Sequence, residues 1–522
     1  MHAQEGQPGK ARQVQTRAKP PSSFWTAVER IGNKLPHPFW LFWIFAVLLG
    51  VVSWLLAQSG VTVTKPDGSV DPVRNLLSAE GFRFATTNVV ENFVSYPTLG
   101  PALVALFGLA LADRAGLLSA TVRSLVARTT PRLATPMLAF AASVAHVAAD
   151  AGFIILLPLG GMIFRAVGRN PILGTIVALA GLTGGSSASP LLIPNDVILS
   201  GISTKAARIV DPNYTMTPVG NLYFTIVSSL LLTAVITVVV DGYLAKRLDR
   251  QHAAEPEETP DDAAELGTLR LSAAEKKGLR WAGTTALAFL VIVAVSMAFP
   301  GSPMRGEDGG IIDSPLIKGI PGFLALFFAV TGFAYGLATK KIVNSASVPS
   351  LIADGLKDVT PFLVLFFAIS QFIGYFEWTN IGILIATNGA ELLQSVNAPA
   401  PVIFGGLLVL ISVLNLFITS GSAQWSLVGP IFVPMLMLLG TSPETTTALY
   451  RIADSCTNVL TPVSPWVVMA VPLMQRYRKS AGLGTVISLT LPLAVAMFVV
   501  WVALFAIWYG IGLPLGPGAP AR

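Results

Sequence analysis

The sequence predicts an all-α polytopic membrane protein with a two-fold internal repeat, and three observations carry the prediction. Hydrophobic residues make up 53% of the chain and charged residues only 12%, with a mean hydropathy of +0.67; a soluble chain carries about twice that charged fraction. Apolar runs near the roughly 20 residues needed to cross a bilayer recur along the whole length. Two of these runs, one in each half, are interrupted by Gly, Ser and Pro.

Taken in order, residues 1–36 mix Lys10, Arg12, Arg17, Lys19, Arg30 and Lys34 with Pro and Gln, and read as a cytoplasmic tail. PFWLFWIFAVLLGVVSWLLA (38–57) follows as a retained first helix, since a secretory signal has a shorter polar lead and a shorter apolar core. Further runs lie at 98–112, 134–163, 172–189, 222–240, 281–299, 320–338, 360–377, 401–419 and 483–508. Basic clusters orient them: Lys246, Arg247 and Arg250 with Lys276, Lys277 and Arg280; Lys340 with Lys341; and Arg476, Arg478 and Lys479. Cytoplasmic loops retain such residues, so these three are placed inside and the loops at 58–97 and 300–318 outside. The expected divisions are the tail 1–36, a first membrane half 37–245, a cytoplasmic linker 246–280 holding the acidic AAEPEETPDDAAEL, a second half 281–510 and a tail 511–522.

The repeat rests on TGGSSASPLLIP (183–194) and TSGSAQWSLVGP (419–430), which share Thr183/Thr419, Gly185/Gly421, Ser186/Ser422, Leu191/Leu427 and Pro194/Pro430. Paired interrupted segments point to a transporter's binding site, because non-helical backbone survives at membrane depth only where protein or a water-filled cavity satisfies it. Re-entrant hairpins are expected near 172–200 and 401–440. Helix N-termini facing such a cavity favour an anion, and unwound carbonyls a small cation.

Charges inside a membrane cost roughly 2.5–3.5 kcal/mol each on insertion scales and need a reason. Arg451 and Asp454 in RIADSCTNVLTPVSPW (451–466) are three apart, on one helix face, in position to pair. With Asn458 and Pro462 after them, and Ser186, Pro194, Asn195 and Asp196 in the first half, they form two constellations suited to an anionic substrate and a coupling cation. A structural ion pair is the competing reading. Arg binds a carboxylate through its planar fork, while Trp425 offers either a stacking face for a ring or an interfacial anchor. His146 and Asp150, in AHVAADAG, fit a proton relay or a satisfied bond at a small-residue helix interface.

Several classes are excluded. The net charge of +6 is explained by basic span flanks and calls for no nucleic acid. Cys456 is the one cysteine, so an intramolecular disulfide and cysteine metal clusters are ruled out. No HExxH, GxSxG or phosphate-binding loop is present, which leaves an enzyme unsupported, a gradient as the energy source, and an ion channel as the rival of another class.

The chain also resembles the AbgT family, the p-aminobenzoyl-glutamate transporters of bacteria. The resemblance runs from ERIGNKLPHPFWLF (29–42) through NFVSYPTLGPALVALFGLALADRAGLL (92–118) and DAGFIILLPLGGMIF (150–164) to RIADSCTNVLTPVSPW. It implies a homodimer in the bacterial inner membrane, with nine transmembrane helices and two hairpins per protomer around a basin open to the cytoplasm. It implies import of the folate catabolite, or sulfonamide export, driven by H⁺ or Na⁺, with no cofactor beyond Na⁺ as coupling ion. The family's substrate residues fall on Asp196, Ser422, Trp425, Arg451, Asp454 and Pro462; the coupling ion is expected at Asp196, Asn195, Asp454 or Asn458.

Overall fold

The computed structural model describes residues 36–521, except 37, 65–68, 97–98, 127–129, 149, 253–270, 300, 307–313, 358–359, 397, 419 and 463. The N-terminal tail up to residue 35 and the acidic part of the linker therefore lie outside the described residues.

The described chain is helical apart from one small antiparallel ribbon. Helix α1 (Pro38–Gln58) leads into β1 (Thr62–Thr64) and β2 (Val70–Pro72), then α2 (Ala79–Thr87), α3 (Val89–Val94), α4 (Leu99–Arg114) and α5 (Leu117–Val126). There follow α6 (Ala134–Ala145), a 3₁₀ turn (His146–Ala148), α7 (Asp150–Ala166), α8 (Pro171–Gly185) and α9 (Pro194–Ala207). Helix α10 (Leu222–Val239) passes through a π-turn (Val240–Leu244) into α11 (Ala245–His252). The second half holds α12 (Ala273–Ala298), α13 (Pro315–Lys318), α14 (Ile320–Ala338), α15 (Ser347–Leu356), α16 (Thr360–Trp378) and α17 (Ile381–Ser395). It closes with α18 (Ala400–Asn415), α19 (Gly421–Leu438), α20 (Pro443–Asn458), α21 (Pro465–Gln475) and α22 (Leu483–Ile511).

Contacts between distant segments fix two opposite faces. Arg247 Nη1 donates to the Ser488 carbonyl at 3.2 Å, and Arg165 lies over the Tyr477 ring, which gathers Arg247, Arg476, Arg478 and Lys479 at a basic face. At the other end of α22, Leu515 accepts from Phe224 N at 3.1 Å, and Thr445 Oγ1 donates to the Ala521 carbonyl at 2.7 Å.

The first hairpin lies elsewhere than expected. Thr135, at the start of α6, donates to Asp241 Oδ1 in the π-turn at 2.7 Å, and Arg165, at the end of α7, reaches Tyr477, so both ends of 134–166 sit at the basic face. Twelve residues of α6 span about 18 Å, too short to cross a bilayer core of roughly 30 Å. The run 134–163 is thus a re-entrant hairpin whose described turn includes the 3₁₀ segment His146–Ala148. By contrast, α8 begins beside Arg169, which also binds Asp241 and Thr135, and the loop after α9 reaches the opposite face, where Tyr214 Oη donates to Glu444 Oε2 at 2.7 Å. Residues 171–207 therefore form a crossing broken at Ser186–Ile193, not a hairpin. Glycines let the hairpin and crossing touch: a Cβ on Gly174 would stand 2.0 Å from the Gly160 carbonyl oxygen.

The second half runs the other way. Phe404, near the start of α18, packs on Tyr509 at the far end of α22, and Ser442, just past α19, donates to the Pro520 carbonyl at 3.1 Å. Residues 400–438 therefore enter and leave by the opposite face. Helices α20 and α21 then cross toward the basic face with a break at Val459–Ser464. Each half so contains a hairpin followed by a broken crossing, in opposite sense. The residue-by-residue match of 183–194 with 419–430 pairs a crossing's break with a hairpin's tip, and these are not equivalent positions.

Six helical stretches among the described residues are long and apolar enough to cross alone, namely Phe39–Gln58, Leu222–Leu248, Ala273–Ala298, Ile320–Ala338, Gly421–Leu438 and Leu483–Ile511. The ten apolar runs do not each supply one: 134–163 and 401–419 contribute hairpin arms and 172–189 half of a broken crossing. Nor does composition alone sort them, since Gly421–Leu438 is a hairpin arm largely buried by protein.

Candidate substrate site

Helix α20 is the axis of the site. Its sequence, PETTTALYRIADSCTN, is too polar for lipid, and residues Pro443 to Cys456 are all buried within protein. Pro443 at its first turn and the Ser442 cap, which accepts from Thr445 N at 3.2 Å, start it. It ends at Asn458; Pro462 lies buried in the following turn, and Pro465 opens α21. The prolines therefore shape the break and start the next helix, rather than terminating α20 themselves.

A ladder of polar pairs joins α20 to the first broken crossing. Thr447 Oγ1 meets Ser203 Oγ at 2.8 Å, Arg451 Nη2 meets Asp196 Oδ1 at 2.8 Å, and Ser455 Oγ meets Ser186 Oγ at 3.0 Å. The spacing of four on α20 puts all three rungs on one helical face. Arg451 thus pairs with Asp196 on another helix, not with Asp454 three residues along its own, because Asp196 stands at the third position of α9 and faces α20. The same aspartate caps α9, its Oδ2 accepting from Ile193 N at 2.8 Å, where a carboxylate complements the helix N-terminus. Asn195 Nδ2 closes the break by donating to the Ser186 carbonyl at 3.0 Å.

The outer hairpin tip lies against the same helix. Tyr450 Oη donates to the Gly421 carbonyl at 2.6 Å, and a Cβ on Gly421 would approach both Asp454 carboxylate oxygens. Asn415, a lone asparagine ending apolar α18, donates to the Asp454 carbonyl (2.8 Å), Thr457 Oγ1 (2.8 Å) and Asn458 Oδ1 (3.1 Å). Ser422 is buried and its Oγ stands 3.4 Å from Ser420 Oγ, the α19 cap. Trp425 is wholly buried, its ring 4.5 Å from that of Tyr450 and its Nε1 donating to Ser203 Oγ at 3.0 Å. Its face is occupied by protein, so in this conformation it braces the hairpin and offers no free surface to a ring.

What remains free is chemically specific. Arg451 side chain is 2% exposed, yet its Nε and Nη1 have no hydrogen-bond partner among the described residues. Asp454 Oδ1, Asn415 Oδ1 and Ser187 Oγ are likewise buried and unpartnered. Groups of this kind are normally satisfied. Here two donors of a cation and several acceptor oxygens have no protein partner where two breaks and a hairpin tip meet. At the inner tip, His146 Nε2 donates to the Leu182 carbonyl and its ring packs edge-on to Phe153. The side chain of Asp150 lies outside the described residues, and the 3₁₀ turn His146–Ala148 separates the helix before it from the one Asp150 begins, so the two do not share one continuous helix face. No group of three or more His, Cys, Asp and Glu suited to a metal occurs among the described residues.

Tyr450, Asn415, Ser203, Thr447 and Ser455 went unnoticed in the sequence. Asn415 alone carried a signal, a polar residue at the end of an apolar run.

Opposed hairpins meeting broken crossings around a buried ion pair define a membrane transporter. The chain belongs to the AbgT putative transporter family, whose model matches residues 23–522. It is 39% identical over 497 residues, 95% of this chain and 96% of its relative, to the p-aminobenzoyl-glutamate transport protein of Escherichia coli K12. Among solved structures it is similar to the Alcanivorax borkumensis YdaH transporter (TM-score 0.86, 36% identity, 92% of this chain and all of that one). It is similar also to Neisseria gonorrhoeae MtrF, from a class of antimetabolite efflux pumps (TM-score 0.88, 36% identity, 95% and 100%).

Proposed function

We propose that the protein is a secondary active transporter of p-aminobenzoyl-glutamate, coupled to H⁺ or Na⁺. The observation that carries this reading is the buried Arg451 with two unpartnered guanidinium nitrogens beside the break in the first crossing. An anionic substrate supplies what those donors lack. Because Nε–H and Nη1 lie on different edges of the guanidinium, a bidentate carboxylate pairs one of them with the second N–H of Nη2, whose first is held by Asp196. Asp196 is already committed to Arg451 and the α9 cap, so Asp454, with its free Oδ1 and with Asn415 and Asn458 beside it, is the group that takes up the proton or holds Na⁺. Coupling follows where that cation changes the relative stability of the two access states. The basic face lies in the cytoplasm of the bacterial inner membrane, and the protein works as a homodimer.

The test is uptake of radiolabelled p-aminobenzoyl-glutamate into proteoliposomes under an H⁺ gradient, a Na⁺ gradient or neither. Saturable, gradient-dependent accumulation that Asp454→Ala abolishes supports the reading and names the ion. Sulfonamide export is the second reading, favoured by the likeness to MtrF; it prevails if accumulation is absent while sulfonamides are extruded. Arg451→Ala should weaken carboxylate substrates far more than neutral sulfonamides, and equal loss of both refutes the bidentate role.

A further inference from the structure

A groove of about 720 Å³ runs along the outside of the molecule between α12 and α14, away from the substrate site. Its floor and walls are Ala329, Val330, Phe333, Ala334 and Leu337 of α14 with Thr285 of α12. Its upper end is different. Lys277 and Trp281 line the rim there, and both are exposed. Gly278 packs directly on Thr339 and Tyr335, a Cβ on it standing 2.8 Å from each. Lys277 and Lys340, the chain neighbours of Gly278 and Thr339, therefore lie at one level, with Lys276 and Lys341 next to them, all four exposed.

Depth completes the pattern. From Lys277 to Thr285 a helix rises about 12 Å, close to the thickness of one leaflet's hydrocarbon. One end of the groove thus meets headgroups and the rest meets acyl chains, and the change from lysine to alanine and phenylalanine falls at the boundary between them. Trp281 at that boundary matches the usual place of tryptophan at a membrane interface. We infer that this groove is a seat for one anionic phospholipid, its headgroup held by Lys277 and Lys340 and an acyl chain lying along Ala329–Ala334. A second copy of the chain fits less well: a two-fold contact through this face would set one lysine cluster against its own image.

Native mass spectrometry of the full chain in detergent tests this, with dioleoyl-phosphatidylglycerol, dioleoyl-phosphatidylcholine and, as a chainless headgroup, glycerol 3-phosphate. The wild type should retain one phosphatidylglycerol in preference to phosphatidylcholine, and glycerol 3-phosphate should not displace it. Each lysine near an anionic surface is worth about fivefold in binding, so Lys277→Gln with Lys340→Gln should weaken retention about 25-fold. Ala334→Leu, which narrows the groove and keeps the lysines, should weaken it as well, with thermal unfolding confirming that each variant is folded. Equal retention of both lipids, or full retention in the double lysine variant, overturns the proposal. Loss in the lysine variant without loss in Ala334→Leu overturns the groove and leaves only surface attraction. Efficient cross-linking between copies through Trp281→Cys, with no bound lipid, would assign the face to subunit contact instead.

Discussion

Removing both charges of the Arg451–Asp196 pair should destabilise the fold by clearly less than the two single removals add up to. In Asp196→Asn the amide still accepts from Ile193 N, so the cap of α9 survives while the guanidinium is left charged, 2% exposed and without an anion partner at 2.8 Å. Breaking a buried pair in this way costs about 3–5 kcal/mol. Arg451→Met leaves the opposite orphan, a buried carboxylate with one remaining backbone bond, at a similar cost. The double variant Asp196→Asn/Arg451→Met buries no net charge, and its loss should fall about 2–3 kcal/mol short of the sum of the singles. Unfolding in mixed micelles titrated with SDS, followed by tryptophan fluorescence, measures the cycle. A cycle of Arg451→Met with Asp454→Asn serves as control and should show markedly weaker coupling, because Asp454 makes no ion pair with the arginine. Additivity of the Asp196 cycle within about 0.5 kcal/mol, or stronger coupling to Asp454, refutes the cross-helix pair.

Four other outcomes follow from the same contacts. Asp454→Asn should abolish gradient-driven accumulation while leaving substrate exchange across proteoliposomes in place, a separation readable by counterflow. Trp425→Phe keeps the ring against Tyr450 but loses the bond to Ser203, so it should lower stability by about 1 kcal/mol with little change in substrate KM; a large rise in KM would restore Trp425 as a substrate platform. Gly174→Ala drives a methyl into the Gly160 carbonyl and should cost about 1–3 kcal/mol in thermal unfolding. Asn415→Leu removes three hydrogen bonds at the foot of the outer hairpin and should impair transport more than Asn458→Leu, which removes one of them.

Part of this was legible in the residues themselves. The hydrophobic runs of α1, α10 and α22 announce themselves, and Arg451, Asp454 and Asp196 stand out because charge is costly where they lie. The partner of Arg451 was not legible: its own helix offers Asp454 at ideal spacing, and only the fold brings Asp196, 255 positions earlier, across from it. The inner hairpin was hidden for another reason. Its turn, AHVAAD, has no Gly or Pro, so 134–163 reads as one long span, whereas the Gly/Ser/Pro-rich stretch nearby reads as a tip although it is the break in a crossing. Helix α20 is absent from the apolar runs because a helix solvated by protein need not be apolar. Trp425 shows the limit of residue type, since a large ring suits a ligand and a core equally.

The opposed sense of the two halves bears on how many shapes this chain must encode. A hairpin admitted from the basic face and another from the opposite face, each set against its own interrupted crossing, are the same machine part mounted twice, upside down. If the half containing 134–207 and the half containing 400–475 exchange their poses, the entrance moves from one side of the membrane to the other with no contact of a new kind required. Reversal of access would then be written into the order of the parts, and α20, touching both sets at once, would be the member through which each half feels the other's pose.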